Sequence, residues 1–333
     1  MNYNEKFIKL GNNGLKVSKL GFGCLALSGI YGKTTEKESF NILLKAYELG
    51  INHFDTADMY GDGENEILLG KVIKNFDRNK IVIATKCGIV RDKISNTVTG
   101  VNGTPEYIKK SCEASLLRLG VDYIDLLYLH RPDPNTPIEV TIEAMSELVK
   151  EGKVANIGLS GVKANTICRA HSIYPLTAIQ SEYSIWTRNQ EEEVIPLCKS
   201  LNIGFVAYSP LGIGFLAGKI NSIDQFEETD FRRISPRFQA ENIVHNLSVV
   251  RVVESIAKDR GCMPSQIALS WILSQGDNIT AIPGTRQIKH LEENMRALDI
   301  QLSNDELSKL NNQIPVGFAR GNLYPDAFEK FAE

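Results

Sequence analysis

Three polar residues end three strand-like apolar segments of this chain, and with a nearby tyrosine they could handle protons. Asp55, Lys86 and His130 each close a run of mostly β-branched or bulky apolar residues. If these runs are neighbouring parallel strands, their carboxyl ends share one face of the sheet, and so do the three side chains. Tyr60 lies five positions beyond Asp55 in a glycine-marked loop and can reach the same face. A carboxylate, an amine, an imidazole and a phenol at one rim predict a site for general acid–base chemistry.

The segments that must position these residues alternate between strand and helix patterns. Short apolar runs predict eight strands, at 19–24, 51–55, 81–86, 125–130, 154–160, 177–180, 203–208 and 279–282. Amphipathic or capped segments between them predict helices at 35–49, 104–119, 137–151, 163–173, 191–200 and 287–298. Eight such alternations with short connections are typical of a closed parallel (β/α)8 barrel, the TIM barrel. We therefore predict one α/β domain spanning residues 1–333.

Three segments depart from this repeat. Residues 7–10 and 15–18 flank a Gly-Asn-Asn-Gly turn, which predicts a β-hairpin that plugs the bottom of the barrel. The connection after the seventh strand is too long for one helix and begins with a polar loop over 209–245, and such loops at the catalytic end of a barrel usually cover a ligand. Further helices are expected near 246–259 and 264–274, and a C-terminal extension over 303–333 adds a helix and a loose end.

The same residues at the rim have a plainer interpretation when they are taken singly. An isolated Asp55, Lys86 or His130 could be a solvated or ion-paired residue at a strand end. Taken together they favour a catalytic site, because lysine and aspartate rarely end apolar strands unless they pair, and barrel enzymes build their sites at this rim.

Composition excludes several classes of protein. The 333 residues carry a formal net charge of −3, so no basic face dominates that would suit a nucleic acid or an anionic membrane surface. No apolar stretch approaches the ~18 residues that a membrane span needs, and residues 1–6 lack the apolar core of a signal peptide. The six cysteines form no CxxC pair, which is typical of reduced thiols. A cytoplasmic protein with a small-molecule substrate is expected, and nothing in the sequence indicates its oligomeric state.

Two glycine motifs and five histidines invite other interpretations. Residues 21–26 and 212–217 both match the G-x-G-x-x-A dinucleotide fingerprint, but the first is followed by further glycines instead of opening a helix, as the fingerprint requires. The histidines show no HExxH or other metal-ligand spacing, so no metal site is predicted. Cys24 and Cys87 fall near strand ends, where a buried inert thiol is the simpler interpretation.

The motifs around the strand ends resemble those of the aldo-keto reductases. The stretch Asp55-Thr56-Ala57-Asp58-Met59-Tyr60-Gly61 is similar to their catalytic strand and loop. Ala84-Thr85-Lys86 and Leu129-His130 match their lysine and histidine positions, and Ile282-Pro283-Gly284-Thr285-Arg286 resembles their cofactor-closing segment. The resemblance runs nearly from end to end, and it is strongest to bacterial and plant members that carry His-Arg after the fourth strand and Pro-Arg-Phe in the long loop.

This resemblance implies a reductase that passes hydride from a nicotinamide cofactor to an aldehyde or ketone. By analogy with the family, Tyr60 is the general acid that protonates the carbonyl oxygen, and His130 polarises and orients the carbonyl. A free phenol has a pKa near 10. Lys86, held by Asp55, is therefore expected to lower the pKa of Tyr60 by stabilising the phenolate.

The resemblance also implies a site for NADPH. Ser160 and Gln180 match the groups that hold the carboxamide, and Tyr208 matches the aromatic ring on which the nicotinamide stacks. The loop that contacts the pyrophosphate is represented by Ser209, Leu211, Gly212 and Gly218, whose glycines would allow close approach of the backbone. The 2′-phosphate pocket and the adenine contacts correspond to Gly284, Thr285, Arg286, Glu293 and Asn294. Arg286 carries the preference for NADPH in this interpretation, since a planar guanidinium suits phosphate.

Three positions depart from the family pattern. Many members have asparagine after the serine of the fifth strand, where this chain has Gly161, so one side-chain contact with the carboxamide is expected to be lost. Many have an aromatic residue after the catalytic histidine, where this chain has Arg131. That cation either faces a polar or anionic substrate or pairs with Asp133. His290 stands where some relatives use arginine or glutamine at the adenosine end, and its role is left open.

A second function shares this fold, namely a cofactor-sensing binding subunit such as the auxiliary subunits of channels. The intact set of Asp55, Tyr60, Lys86 and His130 favours the enzyme. Turnover of a generic aldehyde with NADPH would separate the two functions. The physiological substrate could be a pyridoxal-type aldehyde, a sugar-nucleotide ketone or a metabolite aldehyde, because specificity depends on loops whose shape the sequence does not give.

Overall fold

The computed structural model describes residues 6–92, 97–322 and 324–325. In chain order the strands are β1 (Phe7–Leu10), β2 (Leu15–Ser18), β3 (Phe22–Gly23), β4 (His53–Asp55), β5 (Val82–Cys87), β6 (Ile89–Asp92), β7 (Thr97–Val101), β8 (Leu126–Leu129), β9 (Ile157–Ser160), β10 (Ala178–Glu182), β11 (Gly204–Tyr208) and β12 (Ile279–Ala281). The helices are α1 (Glu36–Glu48), α2 (Glu64–Ile73), α3 (Pro105–Leu119), α4 (Ile138–Lys150), α5 (Ala164–Ile173), α6 (Val194–Ser200), α7 (Ala240–Arg260), α8 (Pro264–Leu273), α9 (Ile288–Met295) and α10 (Asn304–Gln313).

The central sheet has eight parallel strands in the order β3-β4-β5-β8-β9-β10-β11-β12. Its two edges meet through a parallel bridge between Leu20 and Ala281. Two backbone hydrogen bonds support this closure: Gly21 N–H donates to the Ala281 carbonyl at 2.8 Å, and Ala281 N–H donates to the Lys19 carbonyl at 3.2 Å. The sheet therefore closes into the predicted (β/α)8 barrel, with helices packed on its outer surface.

The N-terminal hairpin of β1 and β2 closes the bottom of the barrel, as predicted. Ile8, Leu10 and Val17 form one apolar cluster with residues inside the barrel near the amino ends of the strands, including Val82 and Ala178. Leu10 lies so close to the first residue of β11, Gly204, that a side chain there would overlap it. This seal leaves the opposite end, where the parallel strands finish, as the end that can receive ligands.

Local capping explains where two of the predicted helices begin and end. At the start of α1, Glu38 N–H donates to Thr35 Oγ1 at 3.2 Å while Thr35 N–H donates to Glu38 Oε2 at 2.8 Å, which is the expected capping box. Helix α3 begins at Pro105 and ends before Gly120, whose φ of 65° is the left-handed conformation that ends many helices. These three boundaries, the start of α1 and both ends of α3, follow from signals within a few residues of the chain.

Several elements were not predicted from the sequence. Helix α2 has Gly63 at its N-cap and Gly70 in its interior, so turn signals hide its helical pattern. The hairpin of β6 and β7 has mostly half-exposed residues and lacks a clear alternation. Helix α7 begins at Ala240 instead of the expected 246, which shortens the polar loop. Helix α6 begins at Val194 instead of the expected 191. Within the described part of the chain, no helix is both long and apolar enough to cross a membrane.

Candidate active site

The carboxyl ends of β4, β5 and β8 bring three of the sequence-predicted residues to one rim. Asp55 is the last residue of β4, Lys86 lies near the end of β5, and His130 directly follows β8. These strands are hydrogen-bonded neighbours in parallel register. The short turn after β4 carries Tyr60 back over the same rim, and its Gly61 has a φ of 59° that the tight turn requires.

Lys86 and Asp55 form an ion pair in the interior of the rim. The Lys86 Nζ donates to Asp55 Oδ1 and also to the Thr56 carbonyl oxygen at 2.8 Å, and only 1% and 3% of the two side chains are exposed. The second oxygen of Asp55 accepts a hydrogen bond from Gln180 Nε2 at 2.7 Å. Because a buried ion pair is stable only when its remaining hydrogen-bonding capacity is used, these contacts explain how the rim holds two charges.

Tyr60 points its hydroxyl at this pair. The Tyr60 oxygen lies 3.5 Å from Lys86 Nζ, and its ring meets the His130 ring edge-on at 6.0 Å between centroids. Burial raises the pKa of the Tyr60 phenol, and the charge of Lys86 lowers it, but burial has the larger effect. The net pKa therefore lies above that of a free phenol, which corrects the expectation that Lys86 alone would bring it down.

Burial and charge also define the protonation states of the other two groups. Burial lowers the pKa of Lys86, but Asp55 and Tyr60 raise it by more, so the ammonium form is retained. Burial lowers the pKa of His130 well below its usual value, and the positive charges of Lys86 and Arg131 lower it further. The imidazole is therefore neutral at pH 7, and its Nδ1 has no hydrogen-bond partner among the described residues.

Arg131 does not pair with Asp133. That carboxylate accepts hydrogen bonds from Gly103 N–H at 3.0 Å and from Thr136 Oγ1 at 2.9 Å. The Arg131 guanidinium instead turns into the rim and contacts the side chain of Ser160 at 3.2 Å. The pairing expected as one alternative from the sequence is thus wrong.

A cavity of about 530 Å³ begins at this rim and runs outward between the loops after β11 and β12. Most of the residues that the sequence assigned to a cofactor lie along its wall: Ser160, Gln180, Tyr208, Ser209, Leu211, Gly284, Thr285, Arg286, His290, Glu293 and Asn294. Gly212 and Gly218 do not. A side chain at Gly212 would meet the Trp186 indole at 2.7 Å, and one at Gly218 would meet Glu254 Oε1 at 2.7 Å, so both glycines face the protein behind the loop.

The two ends of this cavity differ in chemistry. The inner end presents the hydroxyl of Ser160, the amide of Gln180 and the ring of Tyr208. The outer end presents two cations, Lys219 and Arg286. A dinucleotide has an aromatic amide at one end and phosphates toward the other, so this set of donors fits a nicotinamide cofactor.

Lys219 was not singled out by the sequence analysis. Its Nζ lies 3.3 Å from His290 Nε2, and burial together with the Lys219 charge lowers the pKa of that imidazole. Its position directly after Gly218 in a ligand-covering loop was the available signal. Tyr324 was also missed, because the tail that carries it shows no local pattern. Its hydroxyl lies 2.6 Å from the Tyr208 hydroxyl, inside the cavity.

Among the described residues, the cysteines, the two glycine motifs and the potential metal ligands do not form a second functional site. All six cysteines are free thiols, and burial raises the pKa of Cys24 and Cys87, which makes both unreactive. Neither G-x-G-x-x-A segment opens an α-helix, since each leads into a short 3-10 turn. No three histidine, cysteine or acidic side chains in the described ranges are grouped closely enough to hold a metal ion.

Comparisons with known proteins agree with this geometry. The model of the Aldo/keto reductase family matches residues 19–314. A probable aldo-keto reductase from Glycine max is 44% identical over 326 residues, which cover 98% of this chain and 93% of that protein. A glycerol dehydrogenase from Gluconobacter oxydans is 28% identical with a TM-score of 0.84 and covers 93% of this chain and 95% of its own. The holo form of an aldo-keto reductase from Bacillus halodurans is 28% identical with a TM-score of 0.75, covering 96% and 98%.

Proposed function

This chain belongs to the aldo/keto reductase family, and from that membership we propose that it is an NADPH-dependent oxidoreductase that reduces an aldehyde or ketone to an alcohol. The observation that carries the proposal is the placement of the Tyr60 hydroxyl 3.5 Å from Lys86 Nζ at the inner end of a cavity fit for a dinucleotide. The relatives named above are reductases and a dehydrogenase, which favours turnover over a cofactor-sensing role.

Tyr60 is the general acid in this proposal. Its raised pKa keeps the phenol protonated at pH 7, so the proton that the carbonyl oxygen needs is in place before the reaction. When that proton leaves, the Lys86 ammonium stabilises the phenolate that remains. Asp55 holds Lys86 in position and thereby prevents it from turning toward solvent.

His130 orients the substrate. As a neutral imidazole it can donate one ring N–H to the carbonyl oxygen without adding a charge beside Lys86. The carbonyl oxygen then lies between the imidazole and the Tyr60 hydroxyl, the group that protonates it. Ser160, Gln180 and Tyr208 would hold the nicotinamide, and a cofactor bound there would supply the hydride that the carbonyl carbon accepts.

The outer end of the cavity supports NADPH over NADH. The two cofactors differ in the 2′-phosphate, which needs cationic donors. Arg286 and Lys219 both line this end, and Thr285 adds a hydroxyl. We take the whole of 1–333 as one catalytic domain, and the free thiols fit the reducing conditions of the cytoplasm, where we place the protein.

The proposal is tested by following NADPH oxidation with 4-nitrobenzaldehyde. The wild-type protein should turn over, and Tyr60→Phe should lose activity by roughly 10²–10⁴-fold, the usual contribution of general acid–base catalysis. Binding of NADPH should stay close to that of the wild type, because the substitution removes one hydroxyl that serves the substrate. A wild-type protein that binds NADPH without oxidising it on any carbonyl in a broad screen would support the sensor instead, and a loss below about tenfold in Tyr60→Phe would reject Tyr60 as the acid.

A further inference from the structure

Arg131 lies deep in the cavity, although its charge has no acidic partner within ion-pair distance among the described residues. Four of the five guanidinium N–H groups are occupied by oxygen atoms of the protein. Nη1 donates to the His130 carbonyl oxygen at 3.0 Å and to Ser160 Oγ at 3.2 Å. Nη2 donates to the hydroxyls of Tyr208 at 3.4 Å and Tyr324 at 3.3 Å.

These hydrogen bonds distinguish two roles for Arg131, namely binding an anionic substrate and positioning the groups that hold the cofactor. A receptor for an anionic substrate should keep its paired N–H groups free, because a carboxylate or phosphate binds the fork of a guanidinium with two of them. Here both terminal nitrogens are already used. Two of the acceptors, Ser160 and Tyr208, are the residues proposed above to hold the nicotinamide end of the cofactor. The guanidinium therefore acts on the groups that position the cofactor.

Gly161 provides the space in which this guanidinium lies. A Cβ atom at Gly161 would lie 2.7 Å from the Arg131 Cζ and closer still to Nη1, a distance that real side chains do not adopt. The backbone of Gly161 is held there by its N–H, which donates to the Gln180 carbonyl oxygen at 2.9 Å. Arginine at 131 and any residue other than glycine at 161 thus exclude each other in this conformation.

We propose that Arg131 and Gly161 form one unit that positions the nicotinamide end of the cofactor. The departures from the family pattern at 131 and 161 are then a single exchange: the side chain lost at 161 is replaced by a guanidinium that enters from 131 and fixes Ser160 and Tyr208. This inference rests on the proposed nicotinamide-dependent function. Arg131 is a positioning residue, and it contributes to affinity for the nicotinamide and not for the adenosine phosphate end.

The first experiment measures binding by calorimetry for two ligands, NADP⁺ and 2′-phospho-ADP-ribose, which lacks the nicotinamide. Arg131→Ala should weaken NADP⁺ binding by about tenfold or more, the range expected for the loss of charge-assisted hydrogen bonds. Binding of 2′-phospho-ADP-ribose should change by less than about twofold, since that ligand leaves the inner end of the cavity empty. Arg237→Ala is a matched control, because Arg237 is another buried arginine, is paired with Glu182 at the carboxyl end of β10, and does not line the cavity.

The control should lower the unfolding temperature without changing the ratio of the two affinities. Equal weakening of both ligands in Arg131→Ala would overturn the proposal, because Arg131 would then stabilise the loops as a whole. An unchanged NADP⁺ affinity, with a selective loss of activity toward 4-carboxybenzaldehyde compared with 4-nitrobenzaldehyde, would also overturn it and identify an anion receptor. Failure of the wild type to bind NADP⁺ would instead reject the proposed function itself.

A double-mutant cycle tests the steric half of the unit. Gly161→Ala strains a backbone whose φ is 62°, and that cost is the same whatever occupies position 131. In the wild-type background the added methyl group also displaces the guanidinium, so NADP⁺ binding should weaken by about tenfold or more. In the Arg131→Ala background only the strain remains, and the further loss should be no more than about two- to threefold. Equal losses in both backgrounds would show that the two positions are independent.

Discussion

The buried pair of Lys86 and Asp55 sets the charge at the proposed catalytic rim, and a single and a double substitution of this pair together separate chemistry from folding. Lys86→Met removes the positive charge that lowers the pKa of Tyr60. We expect turnover to fall by at least roughly 100-fold, and the alkaline limb of the pH profile of kcat/KM to move to higher pH, because Tyr60, the proposed general acid, becomes harder to deprotonate. A near-normal rate with an unchanged alkaline limb would show that Lys86 only stabilises the buried carboxylate of Asp55 and does not act on Tyr60.

The same variant leaves a buried carboxylate without its partner, which costs on the order of 3–5 kcal/mol of folding stability. The double variant Lys86→Met/Asp55→Asn is therefore the matched control. It should regain much of the free energy of unfolding, measured with urea, because no buried charge is left unpaired. Its rate should stay as low as that of Lys86→Met, since the charge near Tyr60 is still missing.

Arg286 tests the proposed cofactor preference at the outer end of the cavity. Its Nη1 donates to the Lys33 carbonyl oxygen at 2.8 Å, so the guanidinium also ties two loops together. Hydrogen bonds to charged groups contribute about 1.5–3 kcal/mol, and Arg286→Ala should accordingly weaken NADPH binding by roughly 10–150-fold while NADH binding changes little. Fluorescence titration of both cofactors is the measurement. Equal weakening of the two would assign Arg286 to the loop contact instead of the 2′-phosphate.

At the scale of elements, helix α2 packs on the end of α3 through a glycine. A Cβ atom at Gly70 would lie 2.6 Å from the Leu119 carbonyl oxygen and 2.8 Å from that of Arg118. In the solvent-exposed interior of a helix, replacing glycine by alanine raises the free energy of unfolding by about 1 kcal/mol. Here the overlap with a fixed backbone should outweigh that gain, and Gly70→Ala should lose about 1–3 kcal/mol of unfolding free energy.

Urea unfolding of Gly70→Ala and Gly100→Ala checks this prediction. Gly100, in β7, has open space around the position of an added Cβ atom and an ordinary φ, so its substitution should be close to neutral. A stabilised Gly70→Ala protein would mean that α2 and α3 can separate at no cost, and the close contact would then not restrain the α2–α3 pair.

The elements that the sequence predicted are those whose signals are local. Thr35 and Glu38 mark the start of α1 within four residues, and Gly120 marks the end of α3. Helix α2 was missed because Gly70 interrupts its helical pattern. The close contact that requires a glycine there is with the end of α3, about fifty residues further along the chain. The β6–β7 hairpin was missed because both strands pair only with each other and keep most residues half-exposed.

At the scale of the whole molecule, the barrel depends on the seam between its first and last strands. Thr280 in β12 is buried, and its Oγ1 donates to the carbonyl oxygens of Ser18 and Lys19, each at 3.0 Å. Thr280→Val keeps the shape and removes the donor, which leaves these oxygens without that partner. We expect a loss of about 1–3 kcal/mol of unfolding free energy, and Thr280→Ser, which keeps the hydroxyl, should lose less than the valine variant in the same urea titration.

Part of the geometry of the site could be predicted, because it follows, like the closed barrel, from the order of the parallel strands. Asp55, Lys86 and His130 end parallel strands, so their meeting follows from topology once the strands are recognised. The contacts of Arg131 could not be foreseen, because its partner Tyr324 lies 193 residues away along the chain. Burial likewise reversed the expected direction of the Tyr60 pKa, which sequence alone cannot reveal.

The hairpin of β1 and β2 lies at the end of the barrel opposite the cavity, so barrel stability and ligand binding depend on different ends of the molecule. Its apolar residues seal one end of the barrel, whereas the cavity opens at the other end among loops and the C-terminal tail. We therefore expect substitutions in the loops to alter substrate choice and substitutions in the plug to alter folding stability. An engineer can diversify the loops after β11 and β12 in one library and the plug in another, and can then recombine the best variants of each, because the loops and the plug lie at opposite ends of the barrel.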